Sequence, residues 1–233
     1  MSNKDHKTHI ENVINRTFEI IKDVYSNQQE KNDQNDSRKK TESRILFPRN
    51  CNNKDGKEKI ETRVSEQELR FIFVEQLNKE IGEDGENWDV YYSVETPTKG
   101  DYLFKEDYPR QEDKDGQSAN FDLVIHDSNF RRIALIEFKA NNPDIHDYQK
   151  DIVKLTNEDE KGALRYFIQI LENTQEGSKR NTLKSIEEKT NPQQDSNWKE
   201  KWGSEEVGYR CYSLERGKRS FSTEDIIEES LKK

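Results

Sequence analysis

Cysteine is nearly missing from this chain. Cys51 and Cys211 are the only two in 233 residues and lie far apart, which excludes a disulfide framework, and they are read as free thiols in a reducing compartment. Four scattered histidines offer no zinc-ligand spacing of the CxxC kind. Hydrophobic residues reach only 29%, too few for a uniformly packed globule. No run approaches the roughly 18 consecutive apolar residues of a membrane span, and the polar start MSNKDHKTHI lacks the apolar core of a signal peptide. A soluble, cytoplasmic protein with no membrane partner is the expectation. A basic excess is also lacking: 39 Lys and Arg stand against 48 Asp and Glu, a net charge of −9. Coating nucleic acid by bulk charge is thereby excluded, and a polyanion must be met locally.

What the chain does have is charge, 37% of its residues against about 25% in an average soluble protein, with the apolar residues gathered into a few segments. Ile10, Val13, Ile14, Phe18, Ile21 and Val24 recur at helical spacing, so residues 1–25 are expected to hold an amphipathic helix that docks on a partner the sequence does not reveal. Residues 26–44 contain no hydrophobic side chain, and 26–60 is expected to be a polar, disordered linker. The polar stretches 97–120 and 187–197 read as long surface loops. Within 61–233 the periodicities predict a helix at 64–80, strands at 89–96, 121–127 and 132–140, a helix at 145–157 and a strand at 164–171. A further strand at 207–214 and a capped helix at 223–232 follow. The short DSNFR connection suits a hairpin, and the intervening helix suits a parallel crossover. An α/β fold with a central mixed sheet flanked by helices is expected, and no internal repeat is visible.

The segment RRIALIEFKAN is the most informative. Ile133 to Ile136 are continuously apolar, as in a strand buried on both faces, and Glu137 and Lys139 then share one face by their period of two. Buried charges need partners. Asp122 interrupts the apolar run of the preceding strand. A four-residue turn at 128–131 places Asp122 opposite Glu137; a two-residue turn places it diagonally, roughly 7–8 Å away on the same face. A register of the other parity would separate the two acids. On the helix at 64–80, about 100° per residue groups Leu69, Phe73, Val74, Leu77 and Ile81 with Glu66, whereas Glu68 turns about 200° away towards solvent. On the helix at 145–157, Ile145, Tyr148, Ile152 and Leu155 form the apolar stripe. Gln149 lies beside it, able to reach the sheet, and Lys150 and Lys154 turn away. Carboxylates converging near a lysine resist joint ionisation unless a cation neutralises them, and an oxygen-only site suits Mg²⁺ or Mn²⁺. Bland roles are assigned to His126 and His146 (a strand end and a loop), to the scattered basic runs (solvated charge), and to Trp88, Tyr91 and Tyr92 (packing of the first strand).

Together these residues resemble the PD-(D/E)xK nuclease superfamily, in which an aspartate on one strand precedes Glu-x-Lys or Asp-x-Lys on the next. Here the match is Asp122 followed by Glu137-Phe138-Lys139, within about 64–171. The resemblance implies a restriction-endonuclease-like αβββαβ core in residues 61–233, with 1–25 as a helical arm, and a metal held by Asp122, Glu137 and the main-chain carbonyl of Phe138. The acid from the first helix would be Glu66 in Ser65-Glu66-Gln67-Glu68-Leu69, similar to the Glu-x-Glu-Leu of the Holliday-junction-resolvase branch. Asn120-Phe121 stands where a proline often precedes the aspartate. Gln149 is followed four residues on by Val153 rather than the tyrosine of the exonuclease branch. The implied activity is divalent-metal-dependent phosphodiester hydrolysis, on DNA rather than RNA, with Glu66, Asp122, Glu137, Lys139 and Gln149 as site residues, Mg²⁺ or Mn²⁺ as cofactor, and room for a homodimer. The alternatives are a catalytically silent module of the same fold that binds nucleic acid or a protein, and a structural protein that assembles through its N-terminal helix.

Overall fold

The computed structural model describes residues 1–30, 42–49, 61–103, 110–111, 116–141, 145–173, 206–215 and 226–231. Helix α1 (Asn3–Glu30) begins with a reciprocal cap, in which the Asp5 carboxylate accepts from the Ser2 amide and hydroxyl and the Asp5 amide reaches back to the Ser2 hydroxyl. All six apolar residues of its predicted stripe are buried. It outruns the expected boundary at residue 25. The expected linker of 26–60 is further reduced by residues 42–47, in which Ser43 and Phe47 are buried, and by a short ladder between β1 (Pro48–Arg49) and β2 (Glu61–Thr62). Residues 31–41 and 50–60 of that segment, with Cys51, lie outside the described residues.

Helix α2 (Glu66–Ile81) stops at Gly82, whose φ of 81° suits glycine alone and whose amide caps the Asn78 carbonyl. The chain then enters the sheet through β3 (Val90–Leu103), β4 (Arg110–Gln111), β5 (Gln117–Asp127) and β6 (Arg132–Ala140). It crosses over through α3 (Ile145–Thr156) to β7 (Leu164–Asn173), and finishes with β8 (Val207–Glu215) and β9 (Ile226–Leu231). The strands form one mixed sheet in the order β4-β3-β5-β6-β7-β8-β9, parallel at β6–β7 and β7–β8 and antiparallel elsewhere. The fold is α/β. From α2 to β7 the succession is helix, three antiparallel strands, helix and parallel strand, the predicted order with the short β4 inserted at the edge.

Two expected elements are corrected. Part of the 97–120 loop is strand, because Thr98 donates to the Gly100 carbonyl and accepts from the Ala119 amide, carrying the ladder over an irregularity between Pro97 and Asp101. Tyr102 is buried beyond it, its hydroxyl accepting from Asn157. The helix expected at 223–232 is replaced by β9 over 226–231, which pairs six residues with β8. A local capping signal lost to the ladder that covers an otherwise open strand.

The core lies on both faces of the sheet. On one face, α1 and α2 pack on Leu123, Ile125, Ile136, Phe138, Ile168, Ile170 and Tyr212. On the other, Tyr148, Ile152 and Leu155 of α3 pack on Val124, Leu135, Phe167, Tyr209 and the buried Cys211. The partner of α1 is thus α2 together with β7 and β8. Phe18 stacks on Tyr212, Arg210 forks onto Glu11 at 3.0 and 2.6 Å, and Tyr25 donates to Glu172. Of the aromatics assigned to the first strand, Trp88 is buried against α1, whereas Tyr91 is half exposed beside Phe130.

Trp88 ties α1 to the rest through histidine. Its indole N–H donates to Nδ1 of His6 at 3.0 Å, while the His9 ring stacks on it and reaches Glu80 at 2.7 Å. His6 must be neutral to accept that bond. Burial, the N-terminal ammonium and His9 hold its pKa below the usual imidazole value. The unfolded chain therefore takes up a proton, from about pH 6.5 downwards, that the folded chain resists, and stability falls with pH through that window. Urea unfolding at pH 7.5 and pH 5 is expected to show a smaller loss in His6→Asn, which keeps an acceptor without titrating, than in the wild type. Equal losses would remove His6 from the account.

Candidate active site

The hairpin between β5 and β6 decides which residues meet. Asp127 accepts from the amides of Asn129 and Arg131 through Oδ1, its own amide donates to the Arg131 carbonyl and its carbonyl accepts from the Phe130 amide, so the turn spans three residues, 128–130, with Phe130 at a φ of 59°, and not the four expected. Next to the turn His126 pairs with Arg132, a register of the parity that would part the two acids; an irregularity between Ile125 and His126 shifts the ladder by one residue, and the pairs Ile125–Ala134, Val124–Leu135 and Leu123–Ile136 follow. Continued by one residue, this register sets Asp122 against Glu137. Asp122 in turn accepts from the Phe138 amide at 2.8 Å. The Asp122–Glu137 alignment of the first anticipated register is thus reached, but through the irregularity in β5 and β6 and not through a four-residue turn.

Helices α2 and α3 both contribute charge around the end of β6. Glu66 stands 3.9 Å from Lys139 and 4.0 Å from Arg70, one helical turn on. Arg70 holds Asp122 at 2.7 Å and Glu95 of β3 at 2.6 Å. From α3, Asp151 takes Lys139 at 2.7 Å and Lys154 at 2.9 Å, and Lys154 reaches Glu137 at 2.7 Å and the Asn120 carbonyl at 2.9 Å. Five carboxylates (Glu66, Glu95, Asp122, Glu137 and Asp151) therefore share three cations, Arg70, Lys139 and Lys154.

Burial sets their protonation. Glu137, only 2% exposed, is pushed well above the usual carboxylate range by burial; Lys154 pulls it down, while Asp151 and Asp122 add to the rise. Burial also raises Glu66, against the pull of Lys139. Burial would raise Asp151 as well, but Lys154 and Lys139 outweigh it and leave the group lowered. Burial works against the charge on Lys139, yet Asp151 and Glu66 prevail and raise it, so its ammonium keeps its proton.

The structure thus brings together Glu66, Asp122, Glu137 and Lys139. Gln149 is not joined to them. It is fully buried on α3, neither amide atom has a hydrogen-bond partner among the described residues, and it lies about 160° round the helix from Asp151. Two helix-phase readings are corrected. Lys154 does not turn away to solvent: it is 7% exposed, because its methylene stem lets the ammonium reach two carboxylates under the helix. Glu68 is not simply solvent-facing, being held by Arg63 at 3.0 Å and less exposed than Glu66.

Arg70, Glu95, Asp151 and Lys154 were missed as site residues. The i, i+4 spacing of Glu66 and Arg70 and the i, i+3 spacing of Asp151 and Lys154 could have flagged three of them. Nothing in the sequence marks Glu95, whose φ of 48° turns it out of the regular strand.

The carboxylate donors are hard oxygens, and in donor chemistry the residues fit Mg²⁺ or Mn²⁺. As placed, though, no group of three His, Cys, Asp or Glu side chains among the described residues stands ready to hold a metal ion, and the chain's own cations pair with Asp122 and Glu137. Comparison with family models, curated proteins and solved structures returns no match.

Removing one member of the buried Glu137–Lys154 pair should leave a charge without compensation. Lys154→Met is expected to lower folding stability by about 3–5 kcal/mol, and the double variant with Glu137→Gln to recover much of that. Urea unfolding checks both, and an equal loss in single and double variants would show that the pairing is immaterial.

Proposed function

We propose that this chain is a divalent-metal-dependent nuclease with a restriction-endonuclease-like core, hydrolysing phosphodiester bonds in DNA. The observation that carries the proposal is the meeting of Asp122 and Glu137 at adjacent register positions of β5 and β6, with Lys139 beside them and Glu66 of α2 across from that lysine. The helix–three-strand–helix–strand order around them supports the same reading. Asp122, Glu137 and the main-chain carbonyl of Phe138 would hold Mg²⁺ or Mn²⁺. Such an ion lowers the pKa of a bound water and offsets charge on the phosphorane.

The chain's own groups do the rest. Lys139 keeps a proton on Nζ, so it acts as a fixed positive charge and donor towards the attacking water and the phosphoryl oxygens, not as a base. Asp151 holds that ammonium in place. Glu66, part exposed and raised by burial, is placed to exchange a proton with solvent at its carboxyl. A second reading, a silent module of this fold, draws on the protein cations already paired with Asp122 and Glu137.

Incubation with supercoiled, linear, single-stranded and branched DNA, and with RNA, in Mn²⁺ or Mg²⁺ separates the two. Cleavage of DNA is expected, and Lys139→Met should slow it by on the order of 10²–10³ while Mn²⁺ still binds. No cleavage of any substrate would favour the silent module. Cleavage unaffected by Lys139→Met would detach the activity from this site.

A further inference from the structure

Arg70 bridges two carboxylates that lie at different depths. Its guanidinium joins Asp122 Oδ1 at 2.7 Å to Glu95 Oε1 at 2.6 Å. The side chain is 13% exposed, and its Nε is buried without a hydrogen-bond partner among the described residues. Glu95 meets it from a left-handed backbone, φ 48°, in the course of a strand. Such a conformation is costly for a residue with a Cβ and persists where surrounding contacts enforce it. The Glu95 carboxylate is 56% exposed, that of Asp122 13%. Arg70 thus has one inner and one outer anchor.

A divalent cation held by Asp122 would draw on a carboxylate whose Oδ1 Arg70 holds and whose Oδ2 accepts from the Phe138 amide. Glu95 can keep the guanidinium at the mouth of the site while that exchange occurs, leaving planar N–H donors free for an anion. Resting on the nuclease reading above, we infer that Arg70 competes with the metal for Asp122 and, once displaced, binds a phosphate of the nucleic-acid backbone, with Glu95 as its positioning residue. Lys154 cannot play this part, because Asp151 and the Asn120 carbonyl also hold it deep beneath α3.

The test is direct Mn²⁺ binding by calorimetry on the full chain, paired with duplex DNA binding in saturating Mn²⁺. Losing a charge-assisted competitor, Arg70→Gln should bind Mn²⁺ about tenfold more tightly, yet bind duplex in Mn²⁺ about tenfold more weakly. Glu95→Gln should weaken Mn²⁺ binding, since Arg70 then has only Asp122. Opposite signs rule out a purely structural contact, and Arg70→Lys separates competition for Asp122 from the field of a nearby charge: it keeps the charge but cannot span both carboxylates, so its Mn²⁺ affinity should also rise, and it carries the test if Arg70→Gln fails to fold. Unchanged or weaker Mn²⁺ binding by the Arg70 variant, beside a wild type that binds Mn²⁺ and cuts DNA, overturns this inference alone. A wild type that binds no Mn²⁺ overturns the metal-dependent reading with it.

Discussion

Compensation of the Glu137 charge is the constraint on which the rest of the site depends. A carboxylate at this depth, with apolar neighbours along β6, is far from water and costs several kcal/mol unless a cation reaches it. Lys154 is that cation, and it reaches Glu137 only because α3 lies flat on the sheet through Tyr148, Ile152 and Leu155. Asp151 then couples Lys154 to Lys139, and Lys139 stands within 3.9 Å of Glu66 on α2. The elements on both faces of the sheet are thereby linked through alternating charges at one end of β6.

The other end of β6 is pinned by a second buried acid. Glu160, 1% exposed, accepts from Arg132 at the start of β6 and from the Lys99 amide in the irregular part of β3. This fixes the strand along its length while Asp127 fixes its turn, so the register that aligns Asp122 with Glu137 has little freedom to slip. The opposite end of β6 carries the five acids and three cations of the charge cluster.

Helix α1 is part of the same core. Were it undocked, its own Phe18, Tyr25 and the stripe from Ile10 to Val24 would be exposed, and Tyr212, Arg210 and Trp88 would lose partners. It covers the face opposite α3, so docking of α1 stabilises the sheet that carries the site without supplying any of the site's charges.

Much of this was legible in the order of residues. The stripe of α1, the inward face of α2, the apolar run of β6 and the shared face of Glu137 and Lys139 all follow from periods of 3.6 and 2, which are local properties of the backbone. The sequence by itself therefore determined the α/β class and the succession of elements from α2 to β7, whereas the meeting of Asp122 with Glu137 rests on the irregularity between Ile125 and His126. Tertiary structure alone decided the rest. Strand β9 formed where capping residues pointed to a helix, because an open edge gains more from a ladder than its residues gain from a cap. Lys154 turned inward because a buried carboxylate outweighs helix phase for a long, flexible side chain. Glu95 entered the site because the packed strands hold its backbone in a left-handed turn. In each case the deciding energy comes from a neighbour distant in sequence, which a local pattern does not encode.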